Sequence, residues 1–119
     1  MALAARHLRL LQTYQLVLTG KYDAAVQQAL VLHKEAKELP LKFRSALLIA
    51  NSAAIVRDFS LGLRYLEIAL GLSDQIEDLE LRHQAYLVAA VLYNQYGQFA
   101  LGKHYAERVL EQPASPASR

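Results

Sequence analysis

Phe59-Ser60-Leu61-Gly62-Leu63-Arg64-Tyr65-Leu66-Glu67-Ile68-Ala69-Leu70 decides the fold, because forty residues later the chain repeats it as Phe99-Ala100-Leu101-Gly102-Lys103-His104-Tyr105-Ala106-Glu107-Arg108-Val109-Leu110. Six of the twelve positions are identical: Phe, Leu, Gly, Tyr, Glu and Leu. A slide of 37 sets Tyr22-Asp23-Ala24-Ala25-Val26 over Phe59-Ser60-Leu61-Gly62-Leu63, with aromatic, small and aliphatic residues in register. Three such units at these intervals mark an internal repeat.

Outward from these units the period is helical. Apolar residues step by three and four through Leu8 to Leu18 and through Leu47 to Ile55, and Leu and Ala outnumber the β-branched residues that favour strands. Breaks fall at Gly20, Pro40, Arg57-Asp58, Ser73 to Asp78 and Gly97. The pattern predicts six helices at about 3–18, 22–38, 41–56, 59–72, 79–96 and 99–111, and a flexible tail over 112–119. The helices group as three pairs, 3–38, 41–72 and 79–111, within one domain over 1–111.

Composition agrees with a small helical domain. The 119 residues are 54% apolar and 20% charged, with five Gly and three Pro, which excludes a disordered or collagen-like chain. The cysteine count is zero, so disulfides and thiolate metal sites are excluded. Thirteen Lys and Arg against eleven Asp and Glu leave +2, scattered along the chain, without the basic stripe that nucleic acid requires. Arg6 and Arg9 interrupt the N-terminal stretch before an apolar signal core can form. The uncharged run from Gln84 to Gly102 carries Asn94, Gln95, Gly97 and Gln98, too polar for a membrane span. The compartment stays open between cytoplasm and periplasm.

The units resemble the tetratricopeptide repeat family, whose mark is a small-x-aromatic-x-x-small turn between two helices. Here it reads Gly20-Lys21-Tyr22-Asp23-Ala24-Ala25, then Arg57-Asp58-Phe59-Ser60-Leu61-Gly62, then Gly97-Gln98-Phe99-Ala100-Leu101-Gly102, with Arg57 in place of the turn glycine in the second unit. The resemblance implies an all-α fold, a right-handed superhelical stack of three helix-turn-helix repeats. The long spacing looks most like repeat regions fused to bacterial signalling proteins of the GGDEF or LuxR/MalT type. Tyr22, Phe59 and Phe99 would wedge against the first helix of their own pairs, with Tyr65 and Tyr105 also serving packing. Ala25, Gly62 and Gly102 would lie where two backbones approach, facing small residues such as Ala50 and Ala90. A glycine inside a helix costs ~1 kcal/mol against alanine, so two at equivalent positions point to a packing reason.

Catalytic motifs are missing: there is no phosphate-binding glycine loop, no H-E-x-x-H and no G-x-S-x-G. His83 with Glu80, and His104 with Glu107, could each present two metal ligands on a helix face, but surface polar pairs of this kind are common. Glu77, Asp78 and Glu80 suit the positive end of the fifth helix better than acid–base work. The expectation is a non-enzymatic chain without cofactor or metal.

In the resembled family the first helix of each pair lines a concave groove. That register turns His7, Leu10, Leu11, Tyr14 and Val17 inward, then Arg44, Leu47, Leu48, Asn51 and Ile55, then Gln84, Leu87, Val88, Val91 and Asn94. Arg44 and Asn51 would anchor a carboxylate or backbone over the apolar floor of Tyr14, Leu47, Leu48 and Leu87. Leu10, Leu48 and Val91 stand where chaperone-tail receptors carry clamp residues, which argues against that subfamily. The expected partner is a protein or peptide, and the exposed last pair points to a possible homodimer. The alternative function is a ligand-sensing regulatory region under the inner helices.

Overall fold

The computed structural model describes residues 3–111, all helix or short connection. The helices are α1 (Leu3–Leu18), α2 (Tyr22–Glu35), α3 (Leu39–Ile55), α4 (Phe59–Ser73), α5 (Leu79–Gln95) and α6 (Phe99–Glu111). Neighbours in the chain pair as hairpins: α1 on α2, α3 on α4, and α5 on α6. The expected tail over 112–119 lies outside the described residues. Contacts gather into two compact units, the first ending at Ile76 and the second beginning at Glu77, so the two are taken separately.

The three hairpin turns are built alike. Gly20 and Gly97 both sit at φ +79°, and Arg57, at the equivalent position, sits at φ +66°. One residue later the backbone N–H reaches back five positions, from Lys21 to the Leu16 carbonyl at 2.8 Å, Asp58 to Ala53 at 2.9 Å, and Gln98 to Tyr93 at 2.7 Å. A left-handed residue that ends a helix and returns its chain to cover the last carbonyls is a Schellman closure. Glycine adopts it without cost, whereas an L side chain is strained there. The repeat seen in side chains is thus a repeat of backbone geometry.

Helix starts are set by side chains and by Pro40. Asp58 caps α4 by accepting from the Leu61 N–H at 3.3 Å, and Asp78 caps α5 by accepting from the Glu80 N–H at 3.0 Å. The sequence pattern stops the second helix at 38 and begins the third at 41; the structure ends α2 at Glu35 and starts α3 at Leu39. Pro40 is therefore inside the first turn of α3, where its missing N–H has no helical partner to lose.

In the first unit α2 also packs on α3, and α1 reaches α3. Leu10, Ala29, Leu32, Ala36, Leu41, Leu48 and Ile49 form its core, with Val17, Leu30, Leu61 and Tyr65 packed around them. Two buried hydroxyls are satisfied locally: Thr13 Oγ1 donates to the Arg9 carbonyl at 2.7 Å, and Ser73 Oγ to the Leu70 carbonyl at 2.7 Å. His33 ties three helices together. Its Nδ1 lies 3.1 Å from the Lys42 carbonyl and 2.9 Å from Ser45 Oγ, and its ring meets Tyr65 edge-on at 5.3 Å. A carbonyl can only accept, so the contact to Lys42 calls for a proton on Nδ1.

In the second unit an aromatic row joins α5 to α6. Tyr105 stacks on both Tyr86 and Tyr93 at 5.9 Å, and the Arg108 guanidinium lies 4.5 Å from the centre of the Tyr86 ring while donating to its hydroxyl at 3.0 Å. Ala85 and Ala89 are fully buried on α5.

Replacing Arg57 with Gly should relieve the turn and stabilise the chain by about 0.5–1 kcal/mol, less what the freer unfolded chain regains. Gly97→Ala should cost about 1 kcal/mol, although nothing within 4 Å opposes its Cβ. Urea unfolding of both variants checks the pair.

Burial lowers the pKa of His33 below its ordinary 6.5, partly offset by its hydrogen bond to the Lys42 carbonyl and helped by the Lys42 charge. The unfolded chain then binds a proton that the folded chain refuses, so stability should fall as pH drops below about 6.5. Unfolding free energies at pH 7.5 and 5 measure this, and His33→Gln should flatten that part of the slope.

Candidate functional site

The first unit carries an open apolar face on α1 and α3. On α1, Leu3, Leu11, Tyr14 and Leu18 fall within roughly a quarter of the helix circumference. Leu11 is 65% and Leu18 85% exposed. On α3, Leu47, Asn51, Arg44 and Ile55 share an arc of similar width; Asn51 and Ile55 are exposed, and Leu47 and Arg44 half-buried. Long aliphatic side chains left in water on two adjacent helices form a surface suited to an apolar partner.

Arg44 lies near enough to Tyr14 at this face for its charge to act on the phenol. The Tyr14 hydroxyl is raised above its ordinary pKa by burial, and the positive charge of Arg44 pulls part of that rise back. Tyr14 is nonetheless 39% exposed and so forms part of this surface. The Nε of Arg44 is buried and has no hydrogen-bond acceptor among the described residues. That nitrogen lies beneath the surface, so a partner's oxygen would meet the terminal end of the guanidinium instead.

Two residues assigned to the groove by the sequence reading lie elsewhere. Leu48, expected on the floor, is 5% exposed and belongs to the core with Leu10, Ile49 and Leu32. Its position on α3 faces α2, and burying a leucine there is worth more than offering it to a ligand. Leu10, also read as inward-facing, is in the same cluster.

On α5, Gln84, Leu87, Val91 and Asn94 are exposed, and Leu87 and Val91 leave a second apolar stripe in water. Asn94 also has a packing role. A Cβ built on Gly102 would run into its carboxamide, with Asn94 Cγ at 2.9 Å, and would lie 3.2 Å from the Ala90 carbonyl oxygen. Gly102 therefore marks the close crossing of α5 and α6.

Among the packing residues, Ala25 and Gly62 are buried and Tyr22 is half-buried. Phe59 is 43% and Phe99 69% exposed, which corrects the expectation that both are wedged into their hairpins. Each is the first residue of its helix, with no preceding turn to cover the ring. Tyr65 and Tyr105, one and a half turns further on, carry the aromatic packing instead.

Catalytic chemistry finds no support in the geometry. Among the described residues no three His, Cys, Asp or Glu side chains come together to hold a metal ion. His33 and Ser45 form a nucleophile-like pair at 2.9 Å, but Ser45 is fully buried and its hydroxyl donates to the Lys42 carbonyl at 3.1 Å. A substrate cannot reach it. No described helix is long and apolar enough to cross a membrane.

Gly102→Leu should overpack the α5–α6 crossing and destabilise the chain by about 1–3 kcal/mol. Gly102→Ala should cost less when Asn94→Ala is combined with it, because the clashing carboxamide is then gone; a double-mutant cycle in denaturant reads the coupling.

Compared with known proteins, the chain matches no family model, no curated protein and no solved structure.

Proposed function

We propose that this chain is a non-catalytic interaction module of the tetratricopeptide kind, in which helical hairpins stack and the first helix of each pair receives a partner. Three hairpins with the same left-handed closure and the sequence repeat support that reading. The occupant is a peptide or helix that presents apolar side chains to Leu11, Leu18, Leu47 and Ile55 and a carboxylate to Arg44.

The observation that carries the proposal is Arg44 itself. Arg44 is a half-buried cation on α3, its charge acts on Tyr14, and exposed aliphatic side chains share the faces of α1 and α3 with the two of them. A carboxylate docked there would gain a charge-assisted hydrogen bond shielded by the apolar rim, the arrangement in which such a contact contributes most. Peptides three or four residues periodic in Leu, Ile or Phe, with one Asp or Glu between them, fit this surface. A place in a larger signalling or regulatory protein of bacterial type is the setting the sequence resemblance suggests.

The test is selection of peptides from a displayed library, followed by calorimetric titration. Arg44→Met keeps the buried stem and removes the charge, so helicity and melting should stay nearly unchanged. Binding of the selected acidic peptides should weaken by ~2 kcal/mol, roughly thirtyfold. Unchanged affinity with an intact fold would place the binding face elsewhere.

A further inference from the structure

A second polar feature lies away from the Tyr14–Arg44 face, where the end of α2 meets the first half of α1. A cleft of about 500 Å³ opens there, lined by Arg6, Lys34, Glu35 and Lys37. Its carboxylates are already engaged. Arg6 donates to Glu38 at 2.8 Å, and Arg9 donates to Glu35 at 2.7 Å. The Arg6 hydrogen bond, aided by backbone N–H groups, holds the Glu38 carboxyl below its ordinary pKa, so that pair stays ionised at neutral pH.

Lys34 and Lys37 differ from the arginines, because neither makes an ion pair among the described residues. The six groups about the cleft, four cations and two carboxylates, leave a surplus of +2. The whole chain carries +2, so a charge equal to its entire net excess is gathered at one concavity. Lys34 alone would suit the negative end of α2. That reason does not extend to Lys37, which lies beyond the helix, or to the cavity between them.

We propose that this cleft binds a small soluble organic phosphate. A surplus of two ammonium groups is matched by a dianion, where a monocarboxylate would neutralise only half of it. Phosphate oxygens accept from several directions at once, which suits two flexible ammonium donors beside a guanidinium that Glu38 holds in place. The volume is that of a small-molecule site and exceeds a bare oxyanion, so the phosphate carries an organic body into the remainder. The polar lining favours a hydroxylated body over an apolar one.

The experiment titrates the full chain with inorganic phosphate, pyrophosphate and citrate, and separately with vesicles with and without phosphatidate, following backbone amides of residues 34–38 by NMR. Pyrophosphate should saturate one site, shift those amides and raise the melting temperature. Lys34→Gln and Lys37→Gln should each weaken it roughly fivefold, and together roughly twenty-five-fold, while Lys103→Gln on α6 should leave it unchanged. Higher ionic strength should weaken binding further. Both lysines are exposed, so the variants should melt like the parent. The proposal is overturned if pyrophosphate does not saturate, if citrate binds as tightly, if Lys103→Gln has the same effect, or if only phosphatidate vesicles bind.

Discussion

Each hairpin depends on one residue held at positive φ. At Gly20, Arg57 and Gly97 the helix stops, the chain reverses hand for one residue, and the next N–H covers a carbonyl five positions back. That closure satisfies helix-end carbonyls that would otherwise need water, and it sets where the second helix starts. The aromatic-x-x-small pattern follows from it, because the small residue falls one turn into the returning helix. The second hairpin accepts an arginine at this position, which shows that packing of α3 on α4 can hold a conformation the side chain opposes.

Beyond the turns, the hairpins solve the same packing problem with different residues. In the first unit, leucines and alanines of α1, α2 and α3 make a continuous aliphatic core. On α5 and α6, tyrosines occupy positions that are alanine in the preceding repeat: Tyr86 corresponds to Ala46 and Tyr93 to Ala53. Gly102 brings the helices close, and the stacked rings with Arg108 fill the rest of the crossing. Large rings that stack on one another fill this crossing, and Arg108 satisfies the buried Tyr86 hydroxyl.

The charged groups divide by what they meet. Arg6 and Arg9 bind carboxylates across α1 and the end of α2, and Arg108 covers a tyrosine ring. Arg44 is half-buried with its Nε shielded from water, and its charge acts on Tyr14. A half-buried cation beside an apolar face is suited to a partner's carboxylate, which is why the functional reading rests on Arg44.

Six helices, their order and their pairing were legible in the sequence, because a period near 3.6 and a repeated turn are local properties of the chain. The glycines at 20 and 97 announced their turns for the same reason, and Gly102 announced a close crossing because a helical glycine costs stability unless something needs the space. The start of α3 was read two residues late, since Pro40 breaks a helix interior yet suits a first turn, and only the path out of α2 decides between them. Among the site residues, Arg44 and Asn51 could be put on one face of α3 by helical spacing, whereas Leu48 could not be removed from the groove floor. Spacing gives the direction of a side chain about its own helix axis and says nothing of which neighbour occupies that direction. The exposure of Phe59 and Phe99, the nearness of Arg44 to Tyr14, and the gathering of Lys34 and Lys37 beside Arg6 all depend on that second fact. Those were decided by tertiary structure alone, because they arise where separate helices meet.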